Sequence, residues 1–335
     1  MRFTTVAASL LVGSAGLFGL AVGCSDGTTN NNTTSGGNTA TCELTDKCVT
    51  ADPTCVAIVD NKDKMQFGLR MSQILISKPV TLGPSKFVGK TVASGVSWKR
   101  PDCYLNGDAA GGNFSWLLHI DLATNTVCTG GAKPPVAAED GYSFVNEMLT
   151  QAGQTFDIKP IKFSAPELAM GKFSVAVADA QDIIVPIYTA EGAPILLPLR
   201  KARITNATLS SNNNCVGSFN GSGLDPFNNC GPSPVDNQFS FNNGGSLEGY
   251  ITLEDADDIV VDLANASLCA LLTEDGDGAM PTSKCKRDPM TMKIMYKGDW
   301  CDATNAAADA TCADAVQLAA DFAASAVQIN GGCPL

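Results

Sequence analysis

The chain has 335 residues, and its 34 acidic against 22 basic side chains give a formal net charge of −12. This acidic excess argues against nucleic acids and anionic lipid surfaces as partners, because both repel a negatively charged protein. The chain contains no GxSxG, HExxH or P-loop pattern, and its single histidine excludes a His-rich metal site.

The first 23 residues have the composition of a secretory signal peptide. Arg2 supplies the positive charge, and residues 6–22 are an almost unbroken run of small and apolar side chains. Residues 21–24, Ala-Val-Gly-Cys, then resemble a lipobox, the site at which bacterial lipoproteins are cleaved and lipid-modified, although Leu20 stands one place early. We predict that Cys24 is lipidated and begins the mature chain. Ordinary secretion is the alternative.

Residues 25–41 form a predicted tether between the lipid and the folded domain. The segment consists mainly of Thr, Asn, Gly and Ser, so it cannot bury enough apolar surface to fold. As a flexible coil it spans roughly 20 to 24 Å. In lipoproteins with such a start the residue after the lipidated cysteine influences sorting. Ser25 at that position indicates the outer membrane, while Asp26 beside it keeps the inner membrane as an alternative.

The cysteine count supports export. Thirteen cysteines would leave a spare thiol in a secreted protein, and acylation of Cys24 removes that residue. The twelve that remain are predicted to form six disulfides in an oxidising compartment: Cys42, Cys48, Cys55, Cys103, Cys128, Cys215, Cys230, Cys269, Cys285, Cys301, Cys312 and Cys333. Closure of the shortest loops predicts the pairs Cys103–Cys128, Cys215–Cys230, Cys269–Cys285 and Cys301–Cys312.

Apolar and polar residues alternate along much of the region 42–335, which predicts a mainly β domain. Residues 114, 116, 118 and 120 are apolar and alternate with Ser115, Leu117, His119 and Asp121, which places the apolar set toward a core. Further strands are predicted at 65–76, 126–129, 156–163, 172–177, 183–188, 194–199 and 202–209, with Pro186 at an edge or a bulge. The spacing favours a jelly-roll-like β-sandwich with long disulfide-stabilised loops.

Two segments have helical features. Residues 265–272 begin with a capping residue, Asn265 or Ser267, and carry leucines on one side, which predicts a short helix. Residues 305–326 are rich in alanine, which favours a helix, yet residues 322–329 are equally compatible with a strand. We predict a closing strand there, paired near the strand at 65–76.

Acidic residues suggest calcium as a structural cofactor, because Ca²⁺ prefers carboxylate and carbonyl oxygens. Two clusters qualify, Glu254, Asp255, Asp257 and Asp258 in the first, and Glu274, Asp275 and Asp277 in the second. Neither fits an EF-hand, because a loop that starts at Asp275 has Lys286 where a bidentate Glu is required. Acidic turns without a metal are the ordinary alternative.

Aromatic residues in polar contexts are the candidate binding groups: Trp98, Tyr104, Tyr296 and Trp300. Exposed aromatic rings grip sugars and protein partners, so an envelope carbohydrate or an envelope protein is the expected partner. Packing of the tryptophans over disulfides is the alternative. His119 shares a strand face with Ser115 and Asp121, but side chains two apart on a strand lie about 6.6 Å apart and parallel, which does not suit a catalytic triad.

The exported region also resembles an uncharacterised group of cysteine-rich lipoproteins from Gram-negative bacteria. The motifs that carry the resemblance are FSWLLHID at 114–121, TGGA at 129–132, VPI at 185–187, LPL at 197–199, NCVG at 214–217, CKR at 285–287 and DAVQL at 314–318. The resemblance implies an exported, disulfide-bonded domain. It implies no activity and transfers no functional residue.

These features predict a signal peptide at 1–23, a lipidated cysteine and tether at 24–41 and a disulfide-rich domain at 42–335. We expect a lipid-anchored cell-envelope protein with a binding or structural role. The alternative is a hydrolase of envelope or extracellular polysaccharide that uses paired carboxylates. A hydrolase requires two carboxylates that converge in a groove, at least one of them with a raised pKa.

Overall fold

A computed structural model describes residues 42, 44, 51–83, 85, 86, 89, 98, 99, 104, 105, 114–151, 153–188, 194–227, 231, 232 and 240–334. For residues 98, 99, 104, 105, 231, 232 and 263 only the backbone is described. The described residues belong to one compact unit, 40–335. The predicted signal peptide, Cys24 and the tether lie outside the described residues, as do Cys48, Cys103 and Cys230. In the described part of the chain no helix has both the length and the apolar character needed to cross a bilayer.

The described elements are mainly short and medium β-strands. The strands of the first half are β1 Gln66–Lys78, β2 Trp98–Lys99, β3 Tyr104–Leu105, β4 Ser115–Asp121, β5 Thr126–Ala132, β6 Glu147–Gln151, β7 Gln154–Ile158, β8 Ile161–Ser164, β9 Lys172–Phe173, β10 Gln181–Ile187 and β11 Ile195–Thr205. Those of the second half are β12 Ala207–Thr208, β13 Cys215–Val216, β14 Ser218–Phe219, β15 Leu224–Asp225, β16 Gly231–Pro232, β17 Phe241–Asn242, β18 Gly245–Thr252, β19 Val260–Val261, β20 Ala266–Ser267, β21 Trp300–Cys301, β22 Ala306–Ala307 and β23 Ala315–Val327. The described elements also include two α-helices, α1 Leu253–Asp258 and α2 Leu268–Thr273. Short 3-10 turns lie at Val80–Leu82, Ala138–Asp140, Leu168–Met170, Val177–Asp179, Gly221–Gly223 and Asp262–Ala264.

One large antiparallel sheet organises the domain. Its strands follow the order β10-β11-β18-β23-β1-β4-β5-β8, with β13, β21 and β22 attached beside β23. The sheet curls until its two ends meet: Gln181 of β10 donates a hydrogen bond of 2.8 Å to the carbonyl of Lys162 on β8. Gly131 of β5 also packs against Pro186 of β10, where a Cβ on the glycine would lie 2.5 Å from the proline ring. The mainly β, sandwich-like prediction is confirmed.

The first and last long strands are neighbours in the centre of this sheet. β23 pairs antiparallel with β1, for example Leu69 with Ala326 and Ile76 with Ala320. The predicted closing strand is therefore confirmed. Alanine favours helix in isolation, but this segment lies between β18 and β1, and the hydrogen bonds and packing of a central strand override the weak propensity.

Apolar side chains cover both faces of the central strands. Phe114 and the residues Trp116, Leu118 and Ile120 of β4 point into the main core, as their alternation predicts. Leu117, on the opposite face of β4, packs in a second cluster with Ala323 and Val327 of β23. The strand is thus buried on both sides, which explains why its outward positions are not uniformly polar.

The helices pack together at one end of the sheet over a third apolar cluster. The predicted helix is present as α2, and the hydroxyl of its N-cap Ser267 accepts a hydrogen bond from the backbone N–H of Ala270. The helix α1 was not predicted. Thr252 caps it by accepting from the N–H of Asp255, and acids in its first turn favour the positive end of the helix dipole. The Thr-x-x-Asp pattern at 252–255 is the signal that could have located it.

Four disulfides are described. Cys269–Cys285 and Cys301–Cys312 are present as the short-loop argument predicts. The predicted pairs Cys103–Cys128 and Cys215–Cys230 are wrong, because Cys128 bonds to Cys333 and Cys215 bonds to Cys55. The closure cost of a loop rises only slowly with its length, so the pairing follows strand topology instead of proximity along the chain. Cys42 is also disulfide-bonded.

The long-range disulfide Cys55–Cys215 should contribute more stability than the short-range Cys301–Cys312. The two pairs close segments of 160 and 11 residues, which on the chain-entropy account differ by about 2 kcal/mol in their effect on the unfolded chain. We expect the double variant Cys55→Ala/Cys215→Ala to lose about 2 kcal/mol more unfolding free energy than Cys301→Ala/Cys312→Ala, measured by urea denaturation. Equal losses would contradict this account.

Candidate functional site

A cleft of about 410 Å³ lies between the edge strand β10 and its neighbour β11, the hairpin β6–β7 and the helix α1. Its position follows from a bulge. Gln181 pairs with Ala202 and Ile183 pairs with Leu199, so two residues of β11 lie opposite one residue of β10. Bulges at sheet edges re-aim side chains and are frequent next to binding and catalytic sites.

The bulge is held by Asp182, the single residue of β10 at this point. Its carboxylate accepts a hydrogen bond of 3.0 Å from the backbone N–H of Lys201, and the Lys201 ammonium lies 3.8 Å from the same oxygen. Lys201 has a positive φ of 49°, which costs energy for a residue with a Cβ and is the backbone outlier that the bulge requires. Asp182 thereby fixes the rim of the cleft.

Arg200 is the central charged group of the cleft. Its Nε and Nη2 atoms donate to one oxygen of Asp255 at 3.0 and 2.8 Å, and its Nη1 lies 3.6 Å from Asp302. Burial opposes the charge, but the hydrogen bond and charge of Asp255 outweigh it and raise the pKa of the guanidinium. Next to it, burial and a 2.9 Å hydrogen bond to Asp302 raise the pKa of Tyr250 to about 12. Both groups therefore keep their protons at neutral pH.

Apolar side chains form the floor of the cleft, and polar side chains form its rim. The floor consists of the side chains of Ile161, Ile183, Pro198, Leu199 and Ile259. The half-buried ring of Phe156 forms one wall. The rim adds Gln154, Asp157, Lys159 and Asp258 to the residues already described. Four carboxylates and two cations line the rim, and Lys201 and Lys284 pair with Asp182 and Asp258 from beside it, so the charges of the rim are close to balanced.

The first predicted calcium cluster lies on α1, not on a loop, and each of its acids has a cationic partner. Asp255 binds Arg200 at 2.8 Å, Glu254 binds Arg287 at 2.7 Å, and Asp258 lies 3.8 Å from Lys284. Asp257 is fully buried and accepts hydrogen bonds of 2.8 Å from the Ser267 hydroxyl, the Cys285 N–H and Arg287. Glu254 and Asp257 share Arg287 while Asp255 and Asp258 bind other cations, so the four carboxylates are held by ion pairs and do not gather as a ligand set.

The second predicted calcium cluster is divided in the same way. Glu274 pairs with Lys86 and Asp275 with Lys286. Asp277 accepts hydrogen bonds from the backbone N–H groups of Ala279 and Lys284, and these lower the pKa of its carboxyl. A more open cavity of about 470 Å³ lies beside Glu274, and Lys86 also lines it. Calcium at either cluster stays a prediction.

The four predicted aromatic residues do not form one described surface. Trp98 and Tyr104 lie on the paired strands β2 and β3, and their side chains are outside the described part. Tyr296 is exposed. Trp300 is half-buried, donates to the side chain of Asn305 at 3.3 Å and lies with its ring 6.2 Å from that of Tyr250, close to the Arg200 cluster.

Ser115 and Asp121, which share a face of β4 with His119, bind other parts of the chain and not the imidazole. Ser115 accepts a hydrogen bond from the buried Arg70, and Asp121 accepts from the N–H groups of Ala123 and Thr124 at the β4–β5 turn. Burial lowers the pKa of His119. Three groups of cysteines and carboxylates lie close enough for a metal among the described residues, but each contains a disulfide, whose sulfurs are not thiolate ligands.

Comparison with known proteins adds no family to this description. The chain matches no protein-family model, no curated protein and no solved structure.

Asp257 and Asp258 provide a matched test of whether the α1 acids are structural. Removal of the buried Asp257 leaves the Cys285 N–H and the Ser267 hydroxyl without their acceptor and takes one of its two acidic partners from Arg287, so we expect Asp257→Ala to lower the unfolding free energy by about 3 kcal/mol. The neighbouring Asp258 is exposed, and Asp258→Ala should change the unfolding free energy by less than about 0.5 kcal/mol. Urea denaturation at neutral pH measures both. Similar effects of the two variants would contradict the structural role of Asp257.

Proposed function

We propose that this protein is a lipid-anchored cell-envelope protein that binds a saccharide in the cleft between β10, β11 and α1. The observation that carries the proposal is the cleft itself, which combines an apolar floor with a rim of carboxylates, amides and one arginine. Its volume of about 410 Å³ lies in the range of small-molecule sites. A sugar ring fits this arrangement, because its apolar face can pack on the floor of the cleft while the hydroxyls at its edge bind the polar rim.

The carboxylates of the rim narrow the class of saccharide. Four carboxylates line the cleft, those of Asp157, Asp182, Asp255 and Asp258. A carboxylate accepts hydrogen bonds and donates none, so the hydroxyl and amino groups of a neutral or amino sugar can donate charge-assisted hydrogen bonds to it. We therefore favour neutral and amino sugars of the cell envelope. Calcium is not required for this proposal, since the acids already have partners in the protein.

Anchoring to the outer membrane is the other half of the proposal, and it rests on the sequence around Cys24 and Ser25. Three acyl chains on such a cysteine give stable membrane attachment, which one chain does not. The tether would then hold the disulfide-stabilised domain clear of the lipid headgroups.

A polysaccharide hydrolase is the second candidate, favoured by the four carboxylates in the same cleft. Against it, each of the four carboxylates of the cleft lies within 4 Å of a cation: Asp157 of Lys159, Asp182 of Lys201, Asp255 of Arg200 and Asp258 of Lys284. A general acid must instead hold a proton that it can donate to the leaving group. Release of reducing ends from a bound polysaccharide would favour the hydrolase over the binding protein.

Saccharide binding should depend on Asp182. We expect chitosan and chitin oligomers to bind the wild-type protein in isothermal titration calorimetry. Asp182→Asn should weaken binding at least about tenfold, because one charge-assisted hydrogen bond is lost while the amide oxygen can still hold the Lys201 N–H. Asp179→Asn, on the exposed turn before β10, is the matched control and should bind normally. No binding of either oligomer at millimolar concentration would contradict the proposal.

Lipidation should depend on Cys24. In the producing bacterium, the wild-type protein should incorporate labelled palmitate and remain in the membrane fraction, whereas Cys24→Ala should do neither. The variant Ser25→Asp tests sorting, because aspartate at that position is expected to redirect a lipoprotein to the inner membrane. Membrane retention of the unlabelled Cys24→Ala variant would contradict a lipid anchor.

A further inference from the structure

Methionine side chains are concentrated on one exposed hairpin of the domain. Met290, Met292 and Met295 are 91%, 63% and 57% exposed. Methionine is ordinarily a core residue, and an exposed thioether in an oxidising compartment is open to oxidation. Three of them within six positions therefore call for an explanation that burial does not supply.

The hairpin has a defined backbone. Arg287 and Ile294 form an antiparallel bridge. The N–H of Asp288 donates a hydrogen bond to the carbonyl of Lys293, and the N–H of Met295 donates one to the carbonyl of Lys286, both at 2.9 Å. Residues 289–292 form the turn between these bonds. Met290 and Met292 thus lie in the turn, and Met295 follows at the base of the returning arm.

The base of the hairpin is fastened to the domain. Cys285, immediately before it, is bonded to Cys269 of α2. Arg287 donates to Glu254 and to the buried Asp257 of α1 at 2.7 and 2.8 Å. A hairpin held by a disulfide and a buried ion pair presents its turn in one place, which lowers the entropy that a ligand must overcome on binding.

Met292 holds a backbone conformation that its side chain does not favour. Its φ is +58°, in the left-handed region that glycine or asparagine normally occupies. The N–H of Met292 donates to the carbonyl of Asp288 at 2.8 Å and so closes the turn. A methionine where glycine would fit better indicates that the thioether at this point has a use.

The described surface offers no cysteine thiolate and no histidine near this hairpin as a competing ligand. Every described cysteine is disulfide-bonded, so none offers a thiolate, and the one histidine lies on β4, away from this hairpin. Thioethers select soft cations, above all Cu(I), while Ca²⁺ and Mg²⁺ require oxygen ligands. The long unbranched methionine side chain adapts its rotamers easily, so three thioethers from one tight hairpin can converge on a single ion.

We propose that Met290, Met292 and Met295 form a surface site for Cu(I), bound by three thioether sulfurs. The site is independent of the saccharide cleft and of the lipid anchor. Binding adds the ion to neutral ligands and involves no electron transfer.

The charges around the hairpin are compatible with a monovalent cation. Lys286 and Arg287 are neutralised by Asp275 and by the α1 acids. Asp288 lies in the turn, where the N–H groups of Thr291 and Met290 bind its carboxylate and lower its pKa, so it stays ionised. This carboxylate offsets the positive charge of the neighbouring Lys293.

Silver(I) is the probe of choice, because it shares the ligand preference of Cu(I) and is not oxidised in air. We expect the full exported protein, purified in detergent, to bind one Ag⁺ in calorimetry, and to bind Cu(I) anaerobically in competition with bicinchoninate. The triple variant M290L/M292L/M295L should lose at least about a hundredfold in affinity, and each single variant at least about tenfold. Leucine keeps the size of these exposed side chains, so the fold should be unaffected.

The control is a second triple variant at scattered exposed methionines, M65L/M148L/M170L, whose side chains are 55%, 61% and 71% exposed. It should bind silver as the wild type does. In spectra of ¹³C-methyl methionine, three resonances should shift on addition of Ag⁺, and they should be those absent from the hairpin variant. Equal loss in both triple variants, or no binding at micromolar silver, would overturn the proposal.

Discussion

The pairing of β1 with β23 is the constraint on which the rest of the domain depends. These two thirteen-residue strands, the first and the last of the described long strands, lie side by side in the centre of the sheet. The other strands of the sheet extend outward from this pair on both sides, so the core cannot close until both strands are in place. Such non-local pairing carries a large loop-closure cost and folds slowly. Cys55–Cys215 and Cys128–Cys333 bridge the same distant regions and confine the unfolded chain to states from which this pairing is reached more easily.

The acidic composition has a structural explanation that does not involve a metal. Asp52, Asp277 and Asp288 each accept hydrogen bonds from backbone N–H groups in turns. For Asp277 and Asp288 these bonds lower the pKa, and for Asp52 the bonds to Thr54 and Asn212 outweigh burial, which acts in the opposite direction. A folded-state pKa below the unfolded value contributes stability that is present above the unfolded pKa, ordinarily 3.8 for Asp, and is lost as the pH falls through the folded value. The acids therefore stabilise turns at neutral pH and release them in acid.

The sequence predicted what depends on local patterns, together with the pairing of the first and last long strands, and missed other features that depend on topology. Alternation placed Phe114 and Trp116 in the core, and Ser267 capped the helix where the pattern indicated. The partner of Cys128 could not be predicted, because it depends on where the chain after β23 lies. The cleft could not be predicted either. It needs a bulge that sets two residues of β11 opposite Asp182, and it needs Asp255 from a helix far along the chain.

Two of the sequence motifs contain glycines at points of close approach within the fold. Gly131 of TGGA packs against Pro186 of VPI where the ends of the curled sheet meet. Gly217 of NCVG has a φ of +76°, and a Cβ there would lie 2.2 Å from the carbonyl oxygen of Asn242. These positions are restricted by close backbone approach. Asp182, Arg200 and Asp255 lie outside the motifs that contain these glycines, so the constraint that builds the scaffold is separate from the residues of the cleft that would select a ligand.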